Sequence, residues 1–506
     1  MIAKKEEKRI RARFAPSPTG HLHIGTIRTA LFPFLFARKN KGTFILRIED
    51  TDLERSKKEW EDELLVGLNW MGITWDEGPI PNSDKYLGKH VPYRQSERND
   101  IYRKYLEKML ADGHAYYCFC SKEEVEAQKQ YLMSIGESPV YRGACRDLPK
   151  ETVEKYLKEG RPSVIRFRTP IDTKISFNDL IRGEIEVSTE TMGDFVLAKS
   201  LDSALFNFTC AVDDVEMEIT HVIRGEDHIP NTPKQMLIIR ALGFEEPKYA
   251  HLPLILGTDK KKLSKRTAMT SLIDYRDNGY LPEAILNFIA FLGWNPGTEK
   301  EIYSLDELIN DFSIEKIQKS AAIFNVDKLD WINGFYIRKM PLYDLTRECV
   351  SYLIKANLIK EIAAEKYSVV ETGEEIHLEN IEKMVAMYHE RLKKLSEIVE
   401  LIDFCFKKEL DYSADLLKWK EMTNNEIIES LNKAKKIITN TEFDKESLEK
   451  ALLEEANKLT NRGNLLWPLR ASLSGKKNSA GPIEIAIALG KEKSIIRIEE
   501  AINKLK

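Results

Sequence analysis

The segment Arg13–Thr26 has the sequence RFAPSPTGHLHIGT and connects a predicted strand to a predicted helix. The strand covers Arg9–Ala15, and the helix runs from about Gly25 to Lys39. A second strand, Thr43–Ile48, follows and ends in a cluster of acids. This β-α-β order favours a parallel sheet whose strands are joined by a crossover helix. The sequence therefore predicts an α/β fold for this part of the chain.

The turn inside this segment has the composition of an anion-binding site. A helix that begins where a strand ends presents free backbone N–H groups and the positive end of its dipole to a ligand. Gly25 has no side chain, so a flat base can approach the backbone there, and His23 can donate a hydrogen bond to phosphate. A proline-rich loop before an ordinary capped helix would explain the same residues, and both interpretations remain open at this point.

Two other strand ends carry charged side chains. Glu49, Asp50 and Asp52 follow the second strand, where one carboxylate can bind an ammonium group. Arg224 follows another β-branched strand, and an arginine at that position can bind a carboxylate through two hydrogen bonds. A solvated acidic loop and a surface ion pair are the alternative interpretations.

A basic run and a cysteine cluster are further candidate sites. Lysines in Lys260–Arg266 can stabilise negative charge on a phosphoryl group, although a solvated charge run has the same composition. Cys118 and Cys120 are followed, after 24 intervening residues, by Cys145. A close pair of cysteines with a third one loop away is typical of a zinc knuckle, and three reduced thiols without a metal are the alternative.

The overall composition is that of a globular protein with several domains. The chain has 506 residues, a net charge of −4 and six cysteines. The length predicts two to four domains, and so few cysteines indicate a reducing cytoplasm rather than a disulfide framework. We find neither a signal peptide nor an apolar run long enough to span a membrane. Net charge does not exclude a nucleic-acid partner, because local basic surfaces bind polyanions.

The pattern changes twice along the chain. The region 116–194 holds the clustered cysteines and a strand-like segment, Ser163–Arg168, and we interpret it as an inserted subdomain. The β/α pattern resumes near Phe195. From Leu342 to Trp467 there is no proline and helix formers dominate, which predicts a helical bundle.

Two motifs resemble the signatures of class I aminoacyl-tRNA synthetases. His23-Ile24-Gly25-Thr26 resembles the His-Ile-Gly-His tetrapeptide of that class, with threonine in place of the last histidine. The preceding Pro16–Gly20 string is typical of the glutamyl branch. Lys262–Arg266 resembles the Lys-Met-Ser-Lys-Ser loop, with Leu263 for methionine and Arg266 for the last serine. The resemblance to glutamyl-tRNA synthetases spans about residues 9–506.

This resemblance implies a fold with defined parts. We expect a Rossmann-like parallel-sheet catalytic domain in two halves, 1–115 and 195–266, separated by an inserted α+β acceptor-binding subdomain at 116–194. A stem-contact region at 267–340 and an all-helical anticodon-binding region at 341–506 would follow. Glutaminyl enzymes carry β-barrels in the last region, so its helical composition argues against them.

The resemblance also implies a reaction and its partners. Glutamate and ATP, with Mg²⁺, would give glutamyl-adenylate, and the glutamyl group would pass to the terminal adenosine of tRNA(Glu). A non-discriminating enzyme that also charges tRNA(Gln) and a catalytically silent tRNA-binding paralogue are the alternatives. We expect a cytoplasmic monomer without membrane association.

The site residues that the resemblance implies fall into five groups. For catalysis they are His23, Lys262 and Lys265. For ATP binding they are Pro16, Ser17, Thr19, Gly20, His23, Gly25, Thr26, Lys262, Leu263, Ser264, Lys265 and Arg266. For glutamate they are Arg13, Ser17, Glu49, Phe206, Cys210 and Arg224, where Phe206 and Cys210 replace the tyrosine and asparagine usual in the family. Arg391 is a candidate anticodon contact. For zinc they are Cys118, Cys120, Cys145 and Asp147, with Asp147 in place of a family histidine and Tyr141 as the weaker substitute.

Overall fold

A four-stranded parallel sheet forms the centre of the first part of the computed structural model, which describes residues 9–141, 143–261 and 271–506. The sheet contains β1 (Arg11–Phe14), β2 (Thr43–Leu46), β11 (His221–Gly225) and β12 (Lys248–Leu252), in the order β12-β11-β1-β2. All neighbouring strands are parallel. Every residue of β1 and β2 is buried, as expected when helices cover both faces of a parallel sheet. The predicted α/β core is confirmed.

Helices and short strands connect this sheet. The crossover from β1 to β2 is α1 (Ile24–Lys39), within one residue of the predicted helix. The other elements of this region outside the insertion are α2 (Lys58–Trp70), β3 (Gly78–Pro79), β4 (Tyr86–Leu87), α3 (Asn99–Ala111), α6 (Phe206–Glu216), α7 (Thr232–Leu242), β13 (Ile255–Leu256), α8 (Leu272–Asp277), α9 (Pro282–Ala290), α10 (Leu305–Asp311) and β14 (Ala322–Ile323).

The region between the two halves of the parallel sheet has its own antiparallel sheet. Its strand order is β10-β9-β6-β5, and a separate hairpin is formed by β7 and β8. The elements are β5 (Ala115–Cys118), α4 (Lys122–Ser134), α5 (Lys150–Lys158), β6 (Val164–Phe167), β7 (Lys174–Asp179), β8 (Gly183–Ser188), β9 (Val196–Ser200) and β10 (Ser203–Ala204). Strands of an inserted α+β subdomain are thus present where the composition changes.

The chain divides into two compact units. The first comprises Met1–Asp274 and Ile285–Val326, and the second comprises Tyr275–Ala284 and Asp327–Lys506. Helices dominate the second unit, but β15, β16 and β17 form a small antiparallel sheet that the helical spacing did not predict. The elements from Val326 onward are α11 (Val326–Lys339), α12 (Leu342–Lys355), β15 (Ile359–Ala363), β16 (Lys366–Val369), β17 (Glu375–His377), α13 (Leu378–Ala386), α14 (Ile398–Ile402), α15 (Asn424–Asn440), α16 (Lys445–Asn457), α17 (Gly463–Ser474), α18 (Pro482–Leu489) and α19 (Lys491–Leu505).

None of the helices within the described ranges is both long and apolar enough to cross a membrane.

Candidate active site

The two strands at the middle of the parallel sheet define the candidate site. The chain continues from β1 to β2 on one side of the sheet and from β11 to β12 on the other, so β1 and β11 flank the point where the strand order reverses. Ligands of open α/β sheets bind in the crevice at the carboxyl ends of such strands. Arg13 lies near that end of β1 and Arg224 near that end of β11, so the sheet brings both predicted glutamate contacts to one crevice.

The turn after β1 is held by backbone hydrogen bonds. The Thr19 N–H donates to the Ser17 carbonyl at 2.9 Å, and the Glu49 N–H donates to the Pro16 carbonyl at 2.9 Å. Ser17, Thr19 and Gly20 are exposed. This arrangement fixes the turn beside β2 and leaves its outer side accessible to a ligand.

His23 and Thr26 form the start of α1. The Thr26 N–H donates to Nδ1 of His23 at 3.3 Å, and the Thr26 hydroxyl lies 3.0 Å from Nε2. His23 is therefore the N-cap of the helix, a position that satisfies one of the free N–H groups. A Cβ atom added to Gly25 would lie 3.1 Å from Cε1 of His23, so only a residue without a side chain gives this ring its full space.

A buried network of charges lies beneath the crevice. Asp214, on α6, accepts hydrogen bonds from Nε of Arg13 at 3.0 Å and from a terminal nitrogen of Arg47 at 2.7 Å. Arg47 also binds Glu49 at 2.9 Å, and its side chain is wholly buried. Nε of Arg47 also lies 3.7 Å from Asp213, so two cations meet three anions. Burial by itself raises the pKa of Asp214, but Arg13 and Arg47 outweigh it and lower that pKa to about 2.

Glu49 has a different balance. Burial raises its pKa, and the attraction of Arg47 and Arg13 only partly opposes that effect. A buried carboxylate of this kind is further stabilised by any additional cation, including the ammonium group expected from the sequence. The predicted role of Glu49 therefore fits its position, although its nearest described cation is Arg47.

Arg47 and Asp214 were not assigned a role from the sequence. A partial signal was present, because Arg47 lies two residues before Glu49 and so on the same face of an extended segment. Asp214 lies 201 residues from Arg13 in the chain, and nothing in a single sequence indicates that pairing.

Arg224 is buried and has only neutral partners. One terminal nitrogen donates to the Thr232 hydroxyl at 2.7 Å and to the side-chain carbonyl of Gln235 at 2.8 Å, while Nε points to Nε2 of His251 at 3.4 Å. Among the residues that the structure describes, no carboxylate forms an ion pair with it. Burial lowers the pKa of Arg224. Within the described ranges, its positive charge therefore has no directly paired anion.

Phe206 and Cys210 lie on the first turns of α6. The Phe206 ring packs against His228, with ring centroids 5.7 Å apart. The Cys210 sulfur lies 3.6 Å from Arg47 and 3.9 Å from Arg13, and burial with the nearby Asp214 raises its pKa to about 12. At neutral pH it is a neutral thiol beside the arginines. The neighbouring Asn207 accepts a hydrogen bond from Gln235 at 3.4 Å.

The basic loop and the anticodon candidate are the remaining predicted groups. Lys262, Leu263, Ser264, Lys265 and Arg266 lie outside the described residues. Arg391 is exposed in the turn after α13, in the second unit, where its N–H donates to the Tyr388 carbonyl at 2.8 Å.

The three predicted cysteines of the insertion come together. The Cys118, Cys120 and Cys145 sulfurs all lie within 4.8 Å of one another, and those of Cys120 and Cys145 are 3.6 Å apart. Tetrahedral zinc with Zn–S bonds of about 2.3 Å separates its sulfurs by about 3.8 Å, so the thiols fit such an ion. No disulfide joins the cysteines.

The fourth ligand differs from the expected one. Asp147 points away from the thiols, pairs with Arg168 at 2.9 Å and leaves 84% of its side chain exposed. The Tyr141 oxygen instead lies 3.2 Å from the Cys118 sulfur and 3.4 Å from the Cys120 sulfur. Tyr141, rather than Asp147, is therefore the oxygen-bearing side chain that lies beside the thiols.

Comparisons with known proteins identify the family of the chain. Residues 9–331 match the family model "tRNA synthetases class I (E and Q), catalytic domain", and residues 346–502 match "Anticodon binding domain". A glutamate–tRNA ligase of Carboxydothermus hydrogenoformans is 43% identical over 496 residues, which cover 98% of this chain and 100% of that protein. Glutamate–tRNA ligase 1 of Caldicellulosiruptor saccharolyticus is 44% identical over 97% of this chain and 98% of its own length.

A solved structure shows the same likeness in three dimensions. The crystal structure of a glutamate–tRNA ligase from Elizabethkingia meningosepticum, in complex with its amino acid, superposes with a TM-score of 0.86. It is 35% identical and covers 99% of this chain and 100% of its own. The family model, the full-length relatives and the structural neighbour agree, and this chain belongs to the glutamate–tRNA ligases of the class I tRNA synthetase family.

Proposed function

We propose that this chain ligates glutamate to tRNA(Glu) in two steps at the crevice between β1 and β11. In the first, an oxygen of the glutamate α-carboxylate attacks the α-phosphorus of ATP and pyrophosphate leaves. In the second, a hydroxyl of the terminal adenosine attacks the carbonyl carbon of the adenylate and AMP leaves. The nucleophiles come from the substrates, so the protein acts by positioning and by stabilising charge.

The buried charge of Arg224 is the observation that carries this proposal. A guanidinium with neutral partners only is costly to bury, and a planar carboxylate matches its geometry. The side-chain carboxylate of glutamate supplies that anion, whereas the uncharged amide of glutamine does not. Arg13 is already paired with Asp214 and therefore contributes as part of a neutralised network.

The amino group of glutamate is assigned to Glu49. This carboxylate lies near the end of β2, and its burial favours an added cation. Phe206 and Cys210 line the same side of the crevice without the hydroxyl and amide usual in the family. Selection of glutamate by this chain thus depends on charges more than on neutral hydrogen bonds.

The ATP phosphates are assigned to the turn Pro16–Gly20 and the start of α1. The capped helix start at His23, the small Gly25 and the accessible turn support this assignment. Mg²⁺ would accompany the phosphates. The roles of Lys262 and Lys265 in stabilising the leaving pyrophosphate rest on the sequence motif.

Zinc is assigned to Cys118, Cys120, Cys145 and Tyr141. Thiolates are the preferred ligands of a structural zinc site, and a tightly bound ion would contribute to the folding of the insertion. The Arg166 guanidinium lies 3.9 Å from the centre of the Tyr141 ring and places a positive charge beside the cluster. This metal would hold the fold of the insertion and takes no part in adenylate formation.

ATP–pyrophosphate exchange tests the activity. The full chain is assayed with glutamate and purified tRNA(Glu), and the K265A variant is the reference for loss of the basic loop. We expect exchange that depends on glutamate and exceeds that of K265A; equal rates would refute the enzyme proposal. Charging of tRNA(Gln), measured in parallel, tests whether the enzyme discriminates, and size-exclusion chromatography with light scattering tests the expected monomer.

A further inference from the structure

The end of the β7–β8 hairpin is hydrogen-bonded to β12, the strand that pairs with β11 and so lies beside Arg224. Asp179 is the last residue of β7, and its side chain is wholly buried, as is that of His251 on β12. One oxygen of Asp179 lies 2.7 Å from Nδ1 of His251 and 3.1 Å from the His251 N–H. The Leu180 N–H also donates to the Tyr249 carbonyl at 2.9 Å. The hairpin and β12 are thus joined by side-chain and backbone bonds.

These contacts fix the proton position on His251. The Asp179 carboxylate only accepts hydrogen bonds, so the proton between them is on Nδ1. Nε2 lies 3.4 Å from Nε of Arg224, which can only donate, and 3.0 Å from the Thr232 hydroxyl, which can donate or accept. Because the arginine nitrogen cannot accept a hydrogen bond, Nε2 of His251 must be the acceptor and is therefore unprotonated. His251 is therefore neutral, in the Nδ1–H tautomer.

We propose that Asp179 and His251 are positioning residues for Arg224, with Asp179 fixing the tautomer that keeps Nε2 of His251 an acceptor for the guanidinium. The proposal rests on the proposed role of Arg224 as the contact for the glutamate side chain. It adds that a residue of the inserted hairpin, which touches no substrate, sets the affinity for glutamate. Second contacts of this kind commonly set the tautomer of a functional histidine.

The second oxygen of Asp179 determines the effect that we expect of the D179N variant. That oxygen accepts from the N–H groups of Ile181 at 2.9 Å and Arg182 at 2.8 Å. In D179N the single carbonyl stays with these two donors, and the amide NH₂ faces His251. Nδ1 must then accept, the proton moves to Nε2, and two N–H groups oppose each other beside Arg224.

Steady-state kinetics of exchange, with tRNA present, test the proposal in the full chain. We expect D179N to raise KM for glutamate about ten-fold, equivalent to about 1.4 kcal/mol, and to leave KM for ATP unchanged. H251F, which keeps a ring but has no acceptor, should show the same rise. H251Q offers an amide oxygen to Arg224 and should keep KM for glutamate within about three-fold of the unsubstituted chain, a difference of about 0.6 kcal/mol.

The control is K174A on the same hairpin. Lys174 forms an exposed ion pair with Glu186, and its removal should leave both KM values unchanged. A hairpin that is merely structural predicts different results: H251F and H251Q would act alike, or D179N would raise the KM of ATP as much as that of glutamate. Either result, or an unchanged KM for glutamate in H251F, overturns the proposal; the histidine variants decide it even if D179N does not fold.

Failure of the proposed function gives other results. If the unsubstituted chain shows no glutamate-dependent exchange, or if R224Q leaves KM for glutamate unchanged, the assignment of Arg224 is wrong. If R224Q raises KM for glutamate and H251F does not, Arg224 binds glutamate but does not depend on His251 for its position.

Discussion

Asp214 accepts a hydrogen bond from Nε of Arg13 at 3.0 Å across 201 residues of chain, and this contact joins β1 to α6, the helix that precedes β11. Both side chains are about 4% exposed, so the pair is shielded from water and salt. Removing one partner of such a pair leaves an uncompensated buried charge.

We expect D214N to lower the free energy of unfolding at pH 7 by about 3–5 kcal/mol, because Arg13 and Arg47 lose their shared carboxylate. Urea denaturation followed by circular dichroism measures the change. E186Q, which removes an exposed carboxylate of the inserted hairpin, is the control and should stay within about 0.5 kcal/mol of the unsubstituted chain. A D214N protein as stable as that control would contradict the buried network.

The same carboxylate predicts acid sensitivity. The pKa of Asp214 is about 2 in the folded chain, below the ordinary value of 3.8 that we expect in the unfolded chain. A group with a lowered folded pKa stabilises above its unfolded pKa, so its contribution is present above about pH 4 and disappears as the pH falls toward 2. Unfolding free energies between pH 5 and about 2 should therefore fall by about 2 kcal/mol more in the unsubstituted chain than in D214N. If the curves of unfolding free energy against pH run parallel for the two proteins, the predicted contribution of Asp214 is wrong.

Arg224 gives a prediction about substrate choice. R224Q removes the positive charge that has only neutral partners, and we expect kcat/KM for glutamate to fall by an amount equivalent to about 2–5 kcal/mol. R224K keeps the charge but loses the planar, two-point contact, so it should recover only part of that loss. Exchange kinetics with varied glutamate measure both variants. Full activity in R224K would show that geometry is unimportant there.

The thiol cluster predicts a defined metal content. Protein purified without chelator should contain one zinc per chain, and Y141F should hold it less tightly in competition with a chromogenic chelator. D147N is the matched control, because Asp147 points away from the thiols to Arg168 and should not change zinc affinity. Weaker zinc binding in D147N than in Y141F would restore the sequence-based ligand.

Gly25 predicts a steric effect on the nucleotide site. In G25A the new Cβ would lie 3.1 Å from Cε1 and 3.2 Å from Nδ1 of His23. The ring must shift, at a cost of about 1–3 kcal/mol for overpacking. We expect KM for ATP to rise while KM for glutamate changes little. A rise in both, with a lower melting temperature, would indicate general damage to α1 instead.

Local patterns predicted the elements that carry the site. The order of β1, α1 and β2 follows from a turn rich in proline and glycine between an apolar strand and a helix, and the observed bounds differ by one or two residues. Phe206 and Cys210, the two departures from the family pattern, lie one turn apart on α6.

Contacts between residues that are distant in the chain could not be predicted from the sequence. The pairing of Arg13 with Asp214 joins distant segments, and the choice between Tyr141 and Asp147 depends on how one loop turns its side chains. The sheet from Ile359 to His377 was missed because lysine, glutamate and isoleucine also suit helices. Its turns are formed at Glu365 and Gly373, both with positive φ. Of these two residue types only glycine favours positive φ, so the sequence signals only the second turn.

The pairing of β1 with β11 also has a consequence for synthesis on the ribosome. Ala12 lies opposite His221, so β1 has no neighbour on that side until more than two hundred residues have been translated. Contacts between residues so far apart form late and slowly. A nascent chain that stops inside the insertion therefore exposes one edge of β1, and such unpaired edges invite aggregation. Early binding of a chaperone to the strand before the Pro16 turn would protect it until β11 emerges.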